Sequence, residues 1–162
     1  DLALQNTDSR LAEGKSVTPY FLFAALLWPG LRQRLAADSA AENSYSSFQQ
    51  AANDSLREQL DYTAIPKRFT IAAKEIWELQ LRIEKHNRRS IESTFGHPRF
   101  RAAYDFLLLR EEAGEQLNSL GQWWTDFQIA DTKRRTEMIA AVSKSGAKRR
   151  RRRKRKPSSN TE

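Results

Sequence analysis

The sequence predicts an all-α body of about five to six helices, followed by a basic C-terminal tail that is disordered when free. Apolar residues recur at spacings of three and four, and proline, glycine and N-cap residues separate these segments. No segment shows convincing apolar–polar alternation or an Asn-Gly hairpin signal, so no strand is predicted. Charge is also segregated: residues 144–162 carry ten Lys or Arg and one acid, whereas residues 1–143 carry 18 bases and 19 acids.

The first predicted helix starts at Thr18-Pro19, an N-cap residue followed by proline at the first helical position. The apolar run YFLFAALLW follows at residues 20–28 and is far shorter than the roughly 20 residues of a membrane span. We therefore expect a core helix and no transmembrane segment. Pro29-Gly30 is expected to kink or break this helix.

The second predicted helix covers residues 43–61 and is amphipathic. Its other face is polar, so the apolar face is expected to pack on the core. That face consists of Tyr45, Phe48, Ala52, Leu56 and Leu60.

The third segment begins at Pro66, is predicted to be helical through about Arg89, and has two chemically opposite sides. The apolar side comprises Phe69, Ala73, Ile76, Leu79, Gln80 and Ile83. The cationic stripe opposite comprises Lys67, Lys74, Arg82, Lys85 and Arg89. Glu78 interrupts this stripe, so a solvated face with ion pairs such as Glu78 to Arg82 is the alternative to a phosphate-binding surface.

The remaining helix start and stop signals and apolar-periodic segments predict further helices. Gly96 is a stop signal and Pro98 a restart, after which a helix is expected through about Glu112. WWTDFQ at residues 123–128 lies in another apolar-periodic segment, and DTKRRTEMIAAVSK is a weaker helix candidate. Adjacent helical tryptophans point about 100° apart, so we assign Trp123 and Trp124 mainly to packing. If the helices pack as a hairpin, further cations would lie near one end of the stripe, namely Arg88, Arg89, Arg99 and Arg101.

The tail contains the run KRRRRRKRK at residues 148–156. Such a run favours polyanion binding, because each neutralised phosphate releases condensed counterions. RNA, DNA, anionic lipid and an import receptor all accept a segment of this kind, and an inert solubility tail is the remaining alternative. Arginine suits RNA somewhat better, since its planar guanidinium binds phosphate bidentately and stacks on unpaired bases.

Residue types required for catalysis or metal binding are scarce. The chain has no cysteine and two histidines, and it contains no P-loop, GxSxG or HExxH motif. Asp105 and Asp126 lie within helix patterns, where a carboxylate is usually an ion-pair or hydrogen-bond partner. His86 is expected to be exposed, and His97 to be a cap or loop residue. We predict no catalytic residue and no metal site in this chain.

The blocks AIPKRFT, IWELQLR, HPRFRAAYDFLLLR and WWTDFQ, followed by the arginine-rich terminus, closely resemble the C-terminal region of bacterial poly(A) polymerases. These enzymes are relatives of the CCA-adding tRNA nucleotidyltransferases. The resemblance runs through most of residues 1–130. It implies a preceding catalytic head with metal-binding aspartates, and helical domains that hold RNA. The head's glycine-serine motif and paired aspartates have no counterpart here, so no catalytic residue can be assigned and the chain alone should transfer no nucleotide.

The resemblance implies that residues 1–143 are the helical RNA-binding region of a cytoplasmic poly(A) polymerase and that residues 144–162 are its tail. RNA and the head of the same polypeptide are the expected partners. ATP and Mg²⁺ are implied for the head, and no cofactor is expected in this chain. The alternative is a free-standing helical adaptor that binds nucleic acid or anionic membrane. The predicted RNA-binding residues are Lys67, Arg68, Lys74, Arg82, Lys85, Arg88, Arg89, Arg99, Arg101, Lys148, Arg149, Arg150, Arg151, Arg152, Arg153, Lys154, Arg155 and Lys156.

Overall fold

The computed structural model describes residues 18–37 and 45–142, and all regular secondary structure in these ranges is helical. The all-α prediction is therefore confirmed. The helices are α1 (Pro19–Ala37), α2 (Tyr45–Leu60), α3 (Lys67–Lys85), α4 (Arg88–Phe95), α5 (Phe100–Glu112) and α6 (Leu120–Ile129). Residues 132–142 form a further helix, α7, as the weaker candidate predicted. The predicted tail lies outside the described residues.

A kink or a break was predicted at Pro29-Gly30, and helix α1 continues through Pro29, so the break does not occur. Proline removes one backbone hydrogen bond from a helix interior. Trp28 and Leu31 lie on either side of Pro29 and are both buried, and their packing offsets that loss. Within residues 18–37 and 45–142, no helix combines the length and hydropathy needed to cross a bilayer.

Helix α2 buries the middle of its predicted apolar face but not the two ends. Phe48, Ala52 and Leu56 are buried. Tyr45 is 56% exposed and Leu60 is 45% exposed, so the prediction that they face the core is wrong. Periodicity identifies which side of a helix is apolar, whereas neighbouring helices determine how much of that side is covered.

Helix α3 ends at Lys85, four residues before the predicted Arg89, because a separate helix begins there. His86 adopts a left-handed conformation with φ 40°, and its backbone N–H donates to the carbonyl of Arg82. Asn87 then caps α4, since its side chain accepts a hydrogen bond from the Ser90 backbone N–H. Arg89 therefore belongs to α4 and not to α3.

The buried side of α3 joins two apolar clusters. Ile76 and Trp77 pack with α1, α2 and α5, whereas Leu79 and Ile83 pack with helices α4 to α7. The predicted apolar side of α3 is confirmed except that Phe69 is only half-buried. Two polar groups on this side are satisfied by backbone carbonyls: Trp77 donates to Ala24 and Gln80 donates to Ala103, each at 2.9 Å. Helix α3 is thus the central element of the fold.

Helix α6 confirms that the tryptophan pair serves packing. Trp124 is fully buried, and the half-buried Trp123 stacks on Phe127 with ring centroids 5.0 Å apart. The His86 ring meets Trp123 edge-on at 4.1 Å between centroids. His86 is therefore half-buried, and its predicted exposure is wrong, because the short α3–α4 connection turns it inward against α6.

A buried arginine connects three parts of the bundle. The Arg110 side chain is 2% exposed and forms ion pairs of 2.7 Å with both Glu84 and Glu115. Its guanidinium lies 4.5 Å from the Trp28 ring centroid, and Trp28 donates to Glu115 at 2.8 Å. Burial alone would raise the pKa of Glu115, but the hydrogen bonds from Arg110 and Trp28 outweigh it and hold the pKa below its ordinary value.

Candidate nucleic-acid interface

The exposed cations of α3 lie at its two ends. Lys67 and Arg68 are in the first turn, and Arg82 and Lys85 are in the last. Residues 67 and 85 are separated by about 27 Å along the axis, since an α-helix rises 1.5 Å per residue. The Arg68 guanidinium lies 4.9 Å from the Phe69 ring centroid. None of these four cations forms an ion pair with an acid in the described part of the chain.

The middle of the predicted stripe is occupied by contacts with α2. Lys74 is half-buried, and its Nζ lies 2.8 Å from Oδ1 of Asn53. Glu78 accepts a hydrogen bond from Nε2 of Gln49 at 2.5 Å. No ion pair joins Glu78 to Arg82, although both are described, so the local ion pair offered as the alternative to phosphate binding does not form here. The stripe is consequently two cationic ends separated by a bridged centre.

We define the junction surface as the four exposed cations in the last turn of α3 and the first turn of α4, namely Arg82, Lys85, Arg88 and Arg89. Glu84 is the acid within this segment, and it is paired with the buried Arg110. Among the residues the structure describes, no acid forms an ion pair with any of the four cations. The junction surface is therefore a locally uncompensated positive region.

Helix N-termini add positive charge at several places on the described fold, and the start of α4 is the one that lies in the junction surface. Helices α3, α4 and α5 have no acidic residue in their first turns. Cations occupy those turns instead: Lys67, Arg68, Arg88, Arg89 and Arg101. The N-terminus of a helix carries a partial positive charge, so cations here are disfavoured by about 0.3–1 kcal/mol each, whereas anions are attracted. The arrangement is electrostatically suited to a polyanion.

Two of the predicted binding residues are paired with acids. Arg99 Nε lies 3.1 Å from Oε2 of Glu75, and Arg101 Nε lies 3.2 Å from Oδ1 of Asp105. The hydrogen bond to Glu75 raises the pKa of Arg99. This contact also places Arg99 beside the middle of α3 and not beside its C-terminal end, so the predicted grouping with Arg88 and Arg89 is wrong for Arg99. Asp105 is an ion-pair partner, as predicted.

Two other polar residues considered in the sequence, His97 and Asp126, form hydrogen bonds within the fold. His97 Nδ1 accepts from the Arg99 backbone N–H at 3.1 Å, which confirms a loop-capping role. Asp126 accepts from Gln122 at 2.8 Å, as expected of a helical carboxylate. Across residues 18–37 and 45–142, no group of three or more His, Asp or Glu side chains is arranged to hold a metal ion.

The sequence did not identify Tyr45 as a surface residue, because its spacing assigned it to the buried face of α2. Its ring is more than half exposed, and its hydroxyl accepts a hydrogen bond from Gln49 Nε2 at 2.9 Å. No sequence signal separates Tyr45 from the buried Phe48. The tail cations 148–156 lie outside the described residues, and their binding role remains a prediction.

Comparisons with known proteins agree with the sequence blocks. The family described as "Polymerase A arginine-rich C-terminus" matches residues 40–157. Poly(A) polymerase I of Salmonella typhi is 40% identical over 151 residues, which cover 90% of this chain and 32% of that protein. Poly(A) polymerase I of Escherichia coli O157:H7 is 40% identical over 132 residues, covering 78% of this chain and 28% of that protein.

A more distant relative gives the same result. Poly(A) polymerase I of Haemophilus influenzae is 33% identical over 140 residues, which cover 85% of this chain and 31% of that protein. The chain thus spans about a third of the length of the curated relatives it matches. The matched region includes α2 to α7 and the junction surface.

Proposed function

Because the chain belongs to the family of the arginine-rich C-terminus of polymerase A, we propose that it is the RNA-holding portion of a polynucleotide adenylyltransferase. Such an enzyme adds adenylates from ATP to RNA 3′ ends. The catalytic head lies outside this chain and would supply ATP and Mg²⁺ binding. The proposed setting is the bacterial cytoplasm, where this chain would hold the RNA whose 3′ end the head extends.

The junction surface is the observation that carries this proposal. Its four cations are exposed, and they lack acidic partners among the described residues. A surface of this kind gains free energy from a polyanion by counterion release, without losing internal ion pairs. Three of the four are arginines, whose planar guanidinium groups suit bidentate phosphate contacts.

The tail and the junction surface would have different roles in RNA binding. A tail of nine cations supplies affinity for any phosphate backbone, since phosphate contacts carry no base information. The junction surface is held on two packed helices, so phosphates bound there are held at a defined place relative to the fold. Placement of the 3′ end would then depend on the junction surface, because a small misplacement strongly lowers a reaction rate.

Binding titrations over a range of salt concentrations test the proposal. We expect the triple variant Arg82→Gln, Lys85→Gln, Arg88→Gln to bind a single-stranded oligoribonucleotide more weakly than the unmodified chain. The slope of log affinity against log salt should flatten by about 2, since each phosphate contact on a single strand contributes about 0.7. Thermal stability should change little, because all three side chains are exposed.

A matched triple variant controls for net charge. Arg32→Gln, Lys133→Gln, Arg134→Gln removes three exposed cations from α1 and α7. We expect this variant to lower the salt slope much less than the junction variant. Equal salt slopes for the two variants would show that RNA binding depends on net charge alone. A salt slope unchanged from that of the unmodified chain in the junction variant would exclude the junction surface as the RNA contact.

A further inference from the structure

Two polar bridges align α2 with α3 in opposite directions. Asn53 contacts Lys74 and Gln49 contacts Glu78, so a step of four residues back along α2 matches a step of four residues forward along α3. Four residues are about one helical turn. One more step in the same direction matches Tyr45, the first residue of α2, with Arg82 in the last turn of α3.

The Tyr45 ring is held by a hydrogen bond to its hydroxyl and is open to solvent. Gln49 Nε2 donates both to the Tyr45 hydroxyl at 2.9 Å and to Glu78 at 2.5 Å. The phenol is thereby tied across to α3, one turn before Arg82. Because 56% of Tyr45 remains exposed, a planar ligand can reach the ring.

The Gln49 side-chain amide that holds Tyr45 also bonds to Glu78, the acid four residues before Arg82. Glu78 precedes Arg82 by four residues, a spacing at which opposite charges on a helix commonly pair. Here Glu78 instead accepts from Gln49, and within the described ranges Arg82 forms no ion pair. The register therefore matches a hydrogen-bonded, exposed aromatic ring on α2 with a guanidinium on α3 that has no ion pair among the described residues.

We propose that Tyr45 and Arg82 form a nucleotide subsite for single-stranded RNA, in which a base stacks on the Tyr45 ring and Arg82 binds the adjoining phosphate. This inference rests on the proposed function, because it takes RNA as the ligand, and it adds a base contact to a surface otherwise described by charge. Base stacking on aromatic side chains tolerates any sequence and recurs in proteins that hold single strands. A tract of identical unpaired adenines suits such a subsite.

The central test compares Tyr45→Ala with Tyr45→Phe in the 162-residue chain, using a single-stranded oligoadenylate and an abasic strand of the same length. Tyr45→Ala should weaken oligoadenylate binding about tenfold, the loss typical of one stacked base. Tyr45→Phe keeps the ring and should retain most of the affinity. Binding of the abasic strand should be the same for all three proteins, and no charge is removed, so the salt slope should stay the same.

Tyr62 supplies a matched control, because it is 83% exposed, follows α2 in a turn, and makes no side-chain hydrogen bond to the rest of the described structure. Tyr62→Ala should leave oligoadenylate affinity nearly unchanged. An equal loss in Tyr62→Ala and Tyr45→Ala, or no loss in Tyr45→Ala, would overturn the subsite.

The two proposals fail in different ways. If Tyr45→Ala binds normally while the junction triple variant loses salt-dependent affinity, the subsite is wrong and the RNA-holding role stands. If neither variant changes binding, the RNA-holding role of this face is wrong as well. A loss in Tyr45→Ala that persists with the abasic strand would show that the ring does not act by stacking on a base, which also overturns the subsite.

Discussion

Arg110 and Arg82 are the same residue type in one bundle, but their surroundings are opposite. Arg110 is buried and paired with Glu84 and Glu115, whereas Arg82 is exposed and has no ion pair in the described part of the chain. The two sites are connected, since Glu84 lies within the junction segment but directs its carboxylate to Arg110. Glu84 is thus used inside the fold and does not pair with the exposed cations around it. Acid placement therefore separates cations that stabilise this protein from cations available to a ligand.

Deleting the tail should have the largest effect on RNA binding, because its nine cations have almost no acids nearby in sequence. If about five of them reach phosphates on a single strand, deleting residues 144–162 should flatten the salt slope by roughly 3.5. Thermal stability should stay within a few tenths of a kcal/mol, as for surface changes. Salt titrations and thermal melts of the truncated chain test both statements. A large drop in melting temperature would instead mean that the tail packs on the body.

Arg110→Leu should show the strongest stability effect. Removing one partner of a buried ion pair costs about 3–5 kcal/mol, and we expect about 3 kcal/mol here because both glutamates partly reach solvent. Urea unfolding measures the change in the free energy of unfolding. Arg101→Leu is the control in the same helix, since Arg101 is exposed and pairs with Asp105 four residues on. Its cost should be about 0.5 kcal/mol or less, and similar losses in the two variants would remove the distinction between them.

Substituting His86 should have the smallest effect on stability, because its side chain is half-buried, neither enclosed like Arg110 nor exposed like Arg82. Burial lowers the pKa of His86 from its ordinary 6.5. As pH falls through 6.5, the unfolded chain therefore takes up this proton before the folded protein does, so stability decreases until the folded pKa is reached. His86→Asn tolerates the left-handed conformation and removes the titrating group. Melting curves over this pH window should fall less steeply for the variant than for the unmodified chain, and parallel curves would contradict the prediction.

Helix positions were largely predictable from local signals. Pro19 at the first turn of α1, Gly96 after α4 and the three-and-four spacing of Phe48, Ala52 and Leu56 all correspond to observed elements. The errors occur where a local signal competes with packing. Pro29 does not end α1, because buried residues lie on both sides of it. The break after Lys85 was missed, because it depends on a left-handed histidine that carries no strong sequence signal.

The candidate site was predictable in composition but not in arrangement. The cations of α3 were identified on the side opposite its apolar face, and the structure leaves those at the two ends exposed. The bridging of Lys74 by Asn53 and the pairing of Arg99 with Glu75 could not be predicted, since each joins residues on different elements. The exposure of Tyr45 was likewise missed, because burial depends on which distant residues pack against that end of α2.

The sequence alone determined that this protein is helical, which sides of its helices are apolar, and that cations recur along residues 67–89 and are concentrated in the tail. These properties depend on residues close together in the chain, because helix periodicity and caps are local. Tertiary structure decided which cations remain available. Glu84 is paired with Arg110 and Glu78 with Gln49 only after distant helices meet, and Arg82 then has no ion pair within residues 18–37 and 45–142. Charge is thus a property of the sequence, whereas its neutralisation depends on distances that only the folded chain defines.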